Sequence, residues 1–280
     1  MIRRREPLRD AADDGRLEGR TVGFVPTMGF LHEGHLSLVR KARREADFVV
    51  ASIFVNPLQF GPGEDLDAYP RDEARDLELL EEAKTDLAFV PAVEEMYPDG
   101  SPAVTIDPGG LGDVLEGASR PGHFRGVCTV VAKLFGIVGP CRAYFGEKDA
   151  QQLAVVRRMV GDLDLPVSVL SGETVREPDG LAMSSRNVYL SPEEREAARA
   201  IPRALAAAEA LVDGGERDAH VVRAEMAKHV GVEPTAELDY VAVVDEATFE
   251  GVDRLERPAR ALVAARFGRA RLLDNVRLAP

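Results

Sequence analysis

A chain of 280 residues with 45% apolar and 30% charged side chains has the composition of a globular protein able to bury one large core or two modest ones. Its formal net charge of −13 argues against a nucleic-acid partner, whose phosphate backbone needs a basic face, and points to small substrates. No stretch approaches the ~18 apolar residues of a membrane span, and the basic start MIRRREPLRD has no apolar run behind it, so neither membrane insertion nor secretion is indicated and the cytoplasm is the expected compartment.

Thr21 to Val25 reads as a short buried strand stopped by Pro26, and the spacing of Leu36, Val39 and Ala42 to Ala46 predicts an amphipathic helix. His32, Glu33, Gly34 and His35 fall at the helix entry. There the i, i+3 spacing puts both imidazoles on one face, beside backbone N–H groups without an intrahelical partner and the positive end of the helix dipole, which is a place to hold phosphate. Gly29 and Gly34 permit the close backbone approach that a loop around a nucleotide needs. The alternatives are a chance surface pair or a two-histidine metal site; the latter lacks both the HExxH spacing and a neighbouring cysteine or third histidine.

Asp47 to Val55 is a near-continuous apolar, β-branched run, the pattern of a parallel strand covered on both faces. It ends in Asn56-Pro57-Leu58-Gln59-Phe60-Gly61. Ligands in open α/β sheets gather beyond the carboxyl ends of strands, so Asn56 and Gln59 either hydrogen-bond a small polar substrate or face solvent from a plain turn. Residues 64–95 carry twelve acids against three bases, mostly the solvated face of a helix predicted from Asp72 to Lys84, with a strand at Leu87 to Val90 after it. Val104 to Ile106 is expected as a short strand. Gly122 to Val138 predicts a largely buried helix; His123 at its start is either substrate-proximal or a cap, the structural role being favoured for a lone histidine, and Arg120 before it is either exposed or opposite a carboxylate. Cys128 and Cys141 are too few for a disulfide framework and are expected to pack in a reducing compartment.

Arg142 to Phe145 is a further strand, followed at its carboxyl end by Gly146-Glu147-Lys148-Asp149 and a helix from Ala150. Lys148 can reach phosphate oxygens as a compact charge, Asp149 can cap the helix or bind a ribose hydroxyl, and Gln152 begins the turn that faces the cleft. Pro166 to Leu170 is the last strand of this half. Thr174 to Asn187 is a loop of turn residues ending in two hydroxyls and a guanidinium, and Ser191-Pro192-Glu193-Glu194 is a clean helix start. Two alanine-rich helices, Glu193 to Val212 and Asp218 to His229, then precede apolar runs at Leu238 to Val244 and Ala261 to Phe267. The expected architecture is α/β: a Rossmann-like parallel sheet over residues 1–173, then a smaller α+β lid domain over residues 174–280, with a nucleotide in the cleft between them.

Four strings in this order, PTMGFLHEGHLSLVRKA, NPLQF, GEKDAQQ and LAMSSRN, resemble the signature of the pantoate–β-alanine ligase (pantothenate synthetase) family, part of the HxGH nucleotidyl-transfer superfamily related to class I aminoacyl-tRNA synthetases. The resemblance runs from Thr21 to about Ser191. It implies ATP-dependent condensation of (R)-pantoate with β-alanine through a pantoyl adenylate, releasing AMP and pyrophosphate and supplying the coenzyme A precursor pantothenate. ATP contacts are implied at Met28, Gly29, His32, His35, Gly146, Glu147, Lys148, Asp149, Val175, Met183, Ser184, Ser185 and Arg186. Among these, His35, His32, Lys148 and Arg186 act on developing phosphate charge, and Met183 to Arg186 resembles the KMSKS-type loop. Gln59 is implied to contact pantoate and β-alanine, with Asn56 beside it, and Gln152 to contact pantoate. Mg²⁺ is implied as cofactor with Asp76 as its aspartate, and a homodimer as the assembly. One departure is Ala150, where relatives usually carry an aromatic residue. Two other classes share the HxGH unit: a nucleotidylyltransferase, which should lack NPLQF and GEKDxQQ, and a non-catalytic nucleotide-binding regulator, which would tolerate loss of HxGH or of the Ser184-Ser185-Arg186 loop.

Overall fold

Runs with almost no polar residue become strands covered on both sides. In the computed structural model, which describes all of residues 1–280, five such strands form one parallel sheet in the order β3-β2-β1-β4-β5. The elements in chain order are α1 (Arg5–Leu17), β1 (Val22–Thr27), α2 (Glu33–Glu45), β2 (Phe48–Ile53), α3 (Glu73–Glu82), β3 (Leu87–Phe89), two one-turn helices α4 (Val93–Met96) and α5 (Glu116–Ser119), α6 (His123–Val138), β4 (Cys141–Gly146), α7 (Ala150–Asp162) and β5 (Val167–Gly172). Alternate residues of a strand supply opposite faces. Phe24 and Val50 pack with Val127, Leu134 and Phe135 of α6, while Val25 and Ala51 pack with Leu38 and Val39 of α2 and Leu80 of α3.

From β1 the chain steps outward through β2 to β3, then returns to β4 on the other side of β1. The reversal falls between β1 and β4, the switch point at which doubly wound sheets open a crevice beyond their strand ends. Those two strands pair only at Gly23–Arg142 and Phe24–Ala143. Their early parting explains why β1 runs through Pro26 instead of stopping there. The carbonyls of Thr21 and Thr27 accept from Phe48 and Phe54, so odd-numbered residues face β2 and Pro26 faces the β4 side, where pairing has already ended and no ladder bond needs its missing N–H.

Two segments of this unit differ from expectation. The N-terminus forms α1, and Ile2 extends the sheet beside β3 through Ile2 N–Ala88 O (2.8 Å) and Val90 N–Ile2 O (2.9 Å). Val104 to Ile106 is not a strand; the Ile106 N–H donates to the Thr129 hydroxyl of α6 at 3.0 Å instead of to a neighbouring strand. Cys128 and Cys141 are both buried, and burial pushes each thiol up to about 12.

The chain divides into two units, Met1–Glu147 with Gln152–Glu173, and Lys148–Gln151 with Thr174–Pro280. The second contains α8 (Pro192–Ala198), α9 (Ala200–Asp213), α10 (Ala219–Gly231), β6 (Ala236–Asp245), β7 (Ala259–Phe267) and β8 (Ala270–Leu278). Its three strands form an antiparallel sheet in the order β6-β7-β8, and Ile201, Leu205, Val222 and Met226 of the helices pack with Val263 and Phe267 of the sheet. The single helix expected from Glu193 is two, because Pro202 has no N–H for the Ala198 carbonyl and the chain turns at Arg199. Strand β8 is absent from the sequence expectation altogether. No helix is long and apolar enough to cross a membrane.

Candidate active site

Beyond β1 the chain must turn sharply before α2, and residues from three elements build that turn. The Thr27 hydroxyl donates to the Ser52 carbonyl (2.7 Å) and accepts from the Gly29 N–H (3.2 Å). Gly29 has φ +82, and a Cβ there would lie 2.9 Å from both Asp76 Oδ2 and Ile53 Cγ2. The position therefore demands glycine on two counts. Asp76, reaching across from the first turn of α3, accepts from the Phe30 N–H at 2.7 Å and the Leu31 N–H at 2.6 Å, while Arg75 donates to the Leu31 carbonyl at 3.0 Å.

His32 is the N-cap of α2 and His35 its third residue, and together they make a capping box out of imidazoles. His32 Nδ1 accepts from the Gly34 N–H (3.2 Å), and His35 Nδ1 accepts from the His32 N–H (3.4 Å). The rings lie 4.1 Å apart between centroids. A backbone N–H can only donate, so each Nδ1 is the acceptor and each neutral ring carries its proton on Nε2. The helix start thus selects the tautomer that can donate from Nε2 to an anion. Gly34 lies within the helix, and its N–H makes the His32 bond.

At the end of β2 the two amides differ in kind. Asn56 is 1% exposed; its Oδ1 accepts from the Tyr97 hydroxyl (2.8 Å) and the Leu58 N–H (3.3 Å), and its Nδ2 donates to Gln59 Oε1 (3.1 Å) and the Gly126 carbonyl (3.2 Å). Every ordinary bond of that amide is used. Expected beside the substrate, Asn56 here directs its amide nitrogen to Gln59. Gln59, 8% exposed, also donates to Met28 Sδ at 3.0 Å, which brings together two of the residues expected at the site. Its main-chain carbonyl accepts from His123 and Arg120.

Asp76, expected as the metal-linked aspartate, is engaged by backbone on both oxygens. A hard cation needs carboxylate oxygens offered to it, whereas both Asp76 oxygens are turned to backbone N–H donors in a side chain 1% exposed. No cluster of three or more His, Cys, Asp or Glu side chains suited to a metal occurs either. The residues present do not form a protein cage for Mg²⁺. Burial pushes the Asp76 carboxyl above its usual range, and the Leu31 and Phe30 N–H groups pull it back.

Gly146 ends β4 opposite Gly172, and Glu147 accepts from the Ser171 hydroxyl at 2.7 Å. Gln152 lies in the first turn of α7, partly buried, while its neighbour Gln151 is 2% exposed; Ala150 is itself buried. In the second unit Lys148 Nζ lies 3.3 Å from Asp149 Oδ1, and the Lys148 carbonyl accepts from Asn275 Nδ2 at 2.8 Å. Met183 N–H donates to the Val175 carbonyl (2.9 Å), closing a small hairpin, and Ser184 Oγ accepts from the Arg186 N–H (3.2 Å). Ser185, 6% exposed, begins the short 3-10 turn Ser185–Tyr189.

The supporting residues of that loop escape sequence reading. Asn187 donates to Glu177 (2.5 Å) and to the Ala182 carbonyl (3.1 Å), and Arg195 of α8 holds Glu177 and Asp179 together. On β8, Asp274 takes the Arg176 guanidinium at 2.6 Å; burial raises the Asp274 carboxyl, and Arg176 opposes the shift. An Asp-Asn pair inside the otherwise apolar run Leu272 to Val276 is the one sequence signal that could have marked this anchor.

A family model described as Pantoate-beta-alanine ligase matches residues 1–277. The pantothenate synthetase of Thermotoga petrophila is 56% identical over 270 residues, covering 96% of each chain, and that of Heliobacterium modesticaldum is 58% identical over 259 residues, 92% of each. Among solved structures, the pantothenate synthetase of Thermus thermophilus superposes with a TM-score of 0.93 at 53% identity, covering 100% of this chain and 99% of that one. The pantoate-beta-alanine ligase of Francisella tularensis, complexed with beta-gamma ATP and beta-alanine, gives 0.81 at 33% identity, covering 99% and 97%. With a turn built to present two Nε2-protonated imidazoles beyond β1 and with matches of this extent, the chain belongs to the pantoate-beta-alanine ligase family.

Proposed function

We propose that this chain condenses pantoate with β-alanine at the expense of ATP. A pantoate carboxylate oxygen attacks the α-phosphorus, the bond to the β-phosphate oxygen breaks, and pyrophosphate leaves; the β-alanine amine then attacks the acyl carbon and AMP leaves. No protein nucleophile takes part. His35 and His32 donate from Nε2 to phosphate oxygens, beside the N–H groups at the start of α2, where negative charge accumulates. Lys148 adds a point charge, and Ser184, Ser185 and Arg186 supply donors to the departing pyrophosphate. Gln59, with its carbonyl, amide oxygen and amide nitrogen all tethered, holds pantoate, and Gln152 assists. Mg²⁺ enters on the phosphates as part of the substrate MgATP. ATP contacts at Met28, Gly29, Gly146, Glu147, Asp149, Val175 and Met183, a homodimer and a cytoplasmic setting complete the reading.

The observation that carries it is the imidazole capping box, which puts both ring protons on Nε2 in a chain that matches pantothenate synthetases along almost its whole length. The test is a partial reaction. With MgATP and pantoate but no β-alanine, the protein should exchange labelled pyrophosphate into ATP, and adding β-alanine should release AMP. Pantoate-dependent ADP formation, or a stable nucleotidyl product made without an amine, would overturn it. Light scattering reads the assembly, a mass twice that of one chain being expected.

A further inference from the structure

Gln59 is fixed from a direction that the substrate reading does not require. Its main-chain carbonyl accepts from His123 Nδ1 at 2.9 Å and from Arg120 Nη2 at 3.2 Å, two side chains more than sixty residues away. Since a carbonyl oxygen only accepts, His123 is protonated on Nδ1, and its Nε2 lone pair faces Arg120 Nη1 at 3.1 Å. Arg120 is in turn held by Glu64, through Nε to Oε1 at 2.8 Å and Nη2 to Oε2 at 2.6 Å, with the arginine side chain only 15% exposed.

The backbone beneath is pinned as well. A Cβ on Gly126 would lie 2.2 Å from the Leu58 carbonyl oxygen and 2.7 Å from Gln59 Cα, so α6 presses directly on the turn that carries Gln59. With Asn56 on the amide oxygen and Met28 on the amide nitrogen, each part of Gln59 has its own restraint. One hydrogen bond would satisfy this carbonyl. Two partly buried side chains, backed by the Glu64 carboxylate, are more than satisfaction requires, and restraint of this kind removes an ordering cost from ligand binding.

We propose that His123 and Arg120 are positioning residues that clamp the Gln59 carbonyl and so set the affinity for pantoate, leaving the chemical step to other groups. This rests on the reading of Gln59 as the pantoate-binding amide. Burial and the Arg120 charge hold the His123 ring neutral, its value lowered to about 4, which fits a ring that must accept from a guanidinium.

The test measures KM for pantoate and for ATP, and kcat, in His123→Phe, Arg120→Met, Gln59→Ala and the double variant His123→Phe/Gln59→Ala, with far-UV circular dichroism on each. His123→Phe should raise the pantoate KM about tenfold, the equivalent of one lost hydrogen bond, with kcat and the ATP KM within about twofold of the parent. His123→Asn, whose Nδ2 can stand where Nδ1 stood, should recover most of the loss. In the Gln59→Ala background the His123 change should add nothing further. If His123→Phe does not fold, Arg120→Met carries the same readouts. An unchanged pantoate KM in a folded clamp variant, while Gln59→Ala raises it, would overturn the clamp alone. Equal losses in all three parameters without rescue by asparagine would also overturn it. No effect of Gln59→Ala on the pantoate KM would remove the substrate reading and the clamp with it.

Discussion

Replacing Asp76 by asparagine keeps the shape of the side chain and changes one acceptor oxygen into a donor. In the structure both oxygens accept backbone N–H groups, from Phe30 at 2.7 Å and Leu31 at 2.6 Å, in a side chain 1% exposed. The amide can serve only one of them. A hydrogen bond to a charged group contributes roughly 1.5–3 kcal/mol, and an N–H left buried without a partner costs about 1–3 kcal/mol more. Removing a buried charge offsets part of this, since burial alone pushes the carboxyl upward. We expect a net loss of about 2 kcal/mol, read as a lower urea midpoint at constant slope. The turn it holds sets the first residues of α2, so pyrophosphate exchange should fall as well, and excess Mg²⁺ should not restore it. Stability within about 0.5 kcal/mol of the parent, together with activity regained as Mg²⁺ rises, would refute the positioning role and return Asp76 to the metal.

His35→Ala should slow pyrophosphate exchange by about 10²–10³-fold with the fold intact, the usual loss for one transition-state donor, and near-parental exchange would exclude it. Gly126→Ala should destabilise by roughly 1–3 kcal/mol and raise the pantoate KM, because the new methyl meets the Leu58 carbonyl oxygen at 2.2 Å; an unperturbed variant would mean that α6 and the turn are loosely packed. Burial and Arg120 lower His123 from 6.5 to about 4, so between those values the unfolded chain binds the proton that the folded chain refuses. The associated stability is fully present above pH 6.5 and lost as pH falls to 4, about 3.5 kcal/mol at about 1.4 kcal/mol per pH unit. Urea midpoints of the parent should therefore drop more steeply over that window than those of His123→Phe, and parallel curves would contradict the shift.

The parallel sheet was legible because a strand covered on both faces shows an uninterrupted apolar run, as Phe48–Ile53 does. Strand β8 was not, since Asp274 and Asn275 interrupt the pattern and are buried only because Arg176 and the Lys148 carbonyl receive them. Helix α1 buries only Leu8, Ala12 and Gly15, so although these fall on one face, the apolar stripe is made largely of small residues among charged neighbours. Within the site, residues that act near each other in sequence could be read together, as His32 and His35 were. The links from Asp76 to Phe30, Tyr97 to Asn56 and Arg120 to Gln59 span 46, 41 and 61 positions, and nothing local announces them. For that reason the intramolecular bonds of Asn56 and Asp76 were not foreseen from their sequence neighbours.

The imidazole capping box has a consequence for any attempt to harden this protein. Serine, threonine, aspartate and asparagine are the usual N-caps, and in α2 a histidine stands in their place. Position 32 is therefore one that a stability-guided redesign would alter early, and His35, as its reciprocal partner, would follow. Both changes would yield a sturdier helix without the rings proposed to meet the phosphates. On the proposed function the cap of α2 and the phosphate donors are the same two side chains, so thermal hardening is better sought elsewhere in the chain.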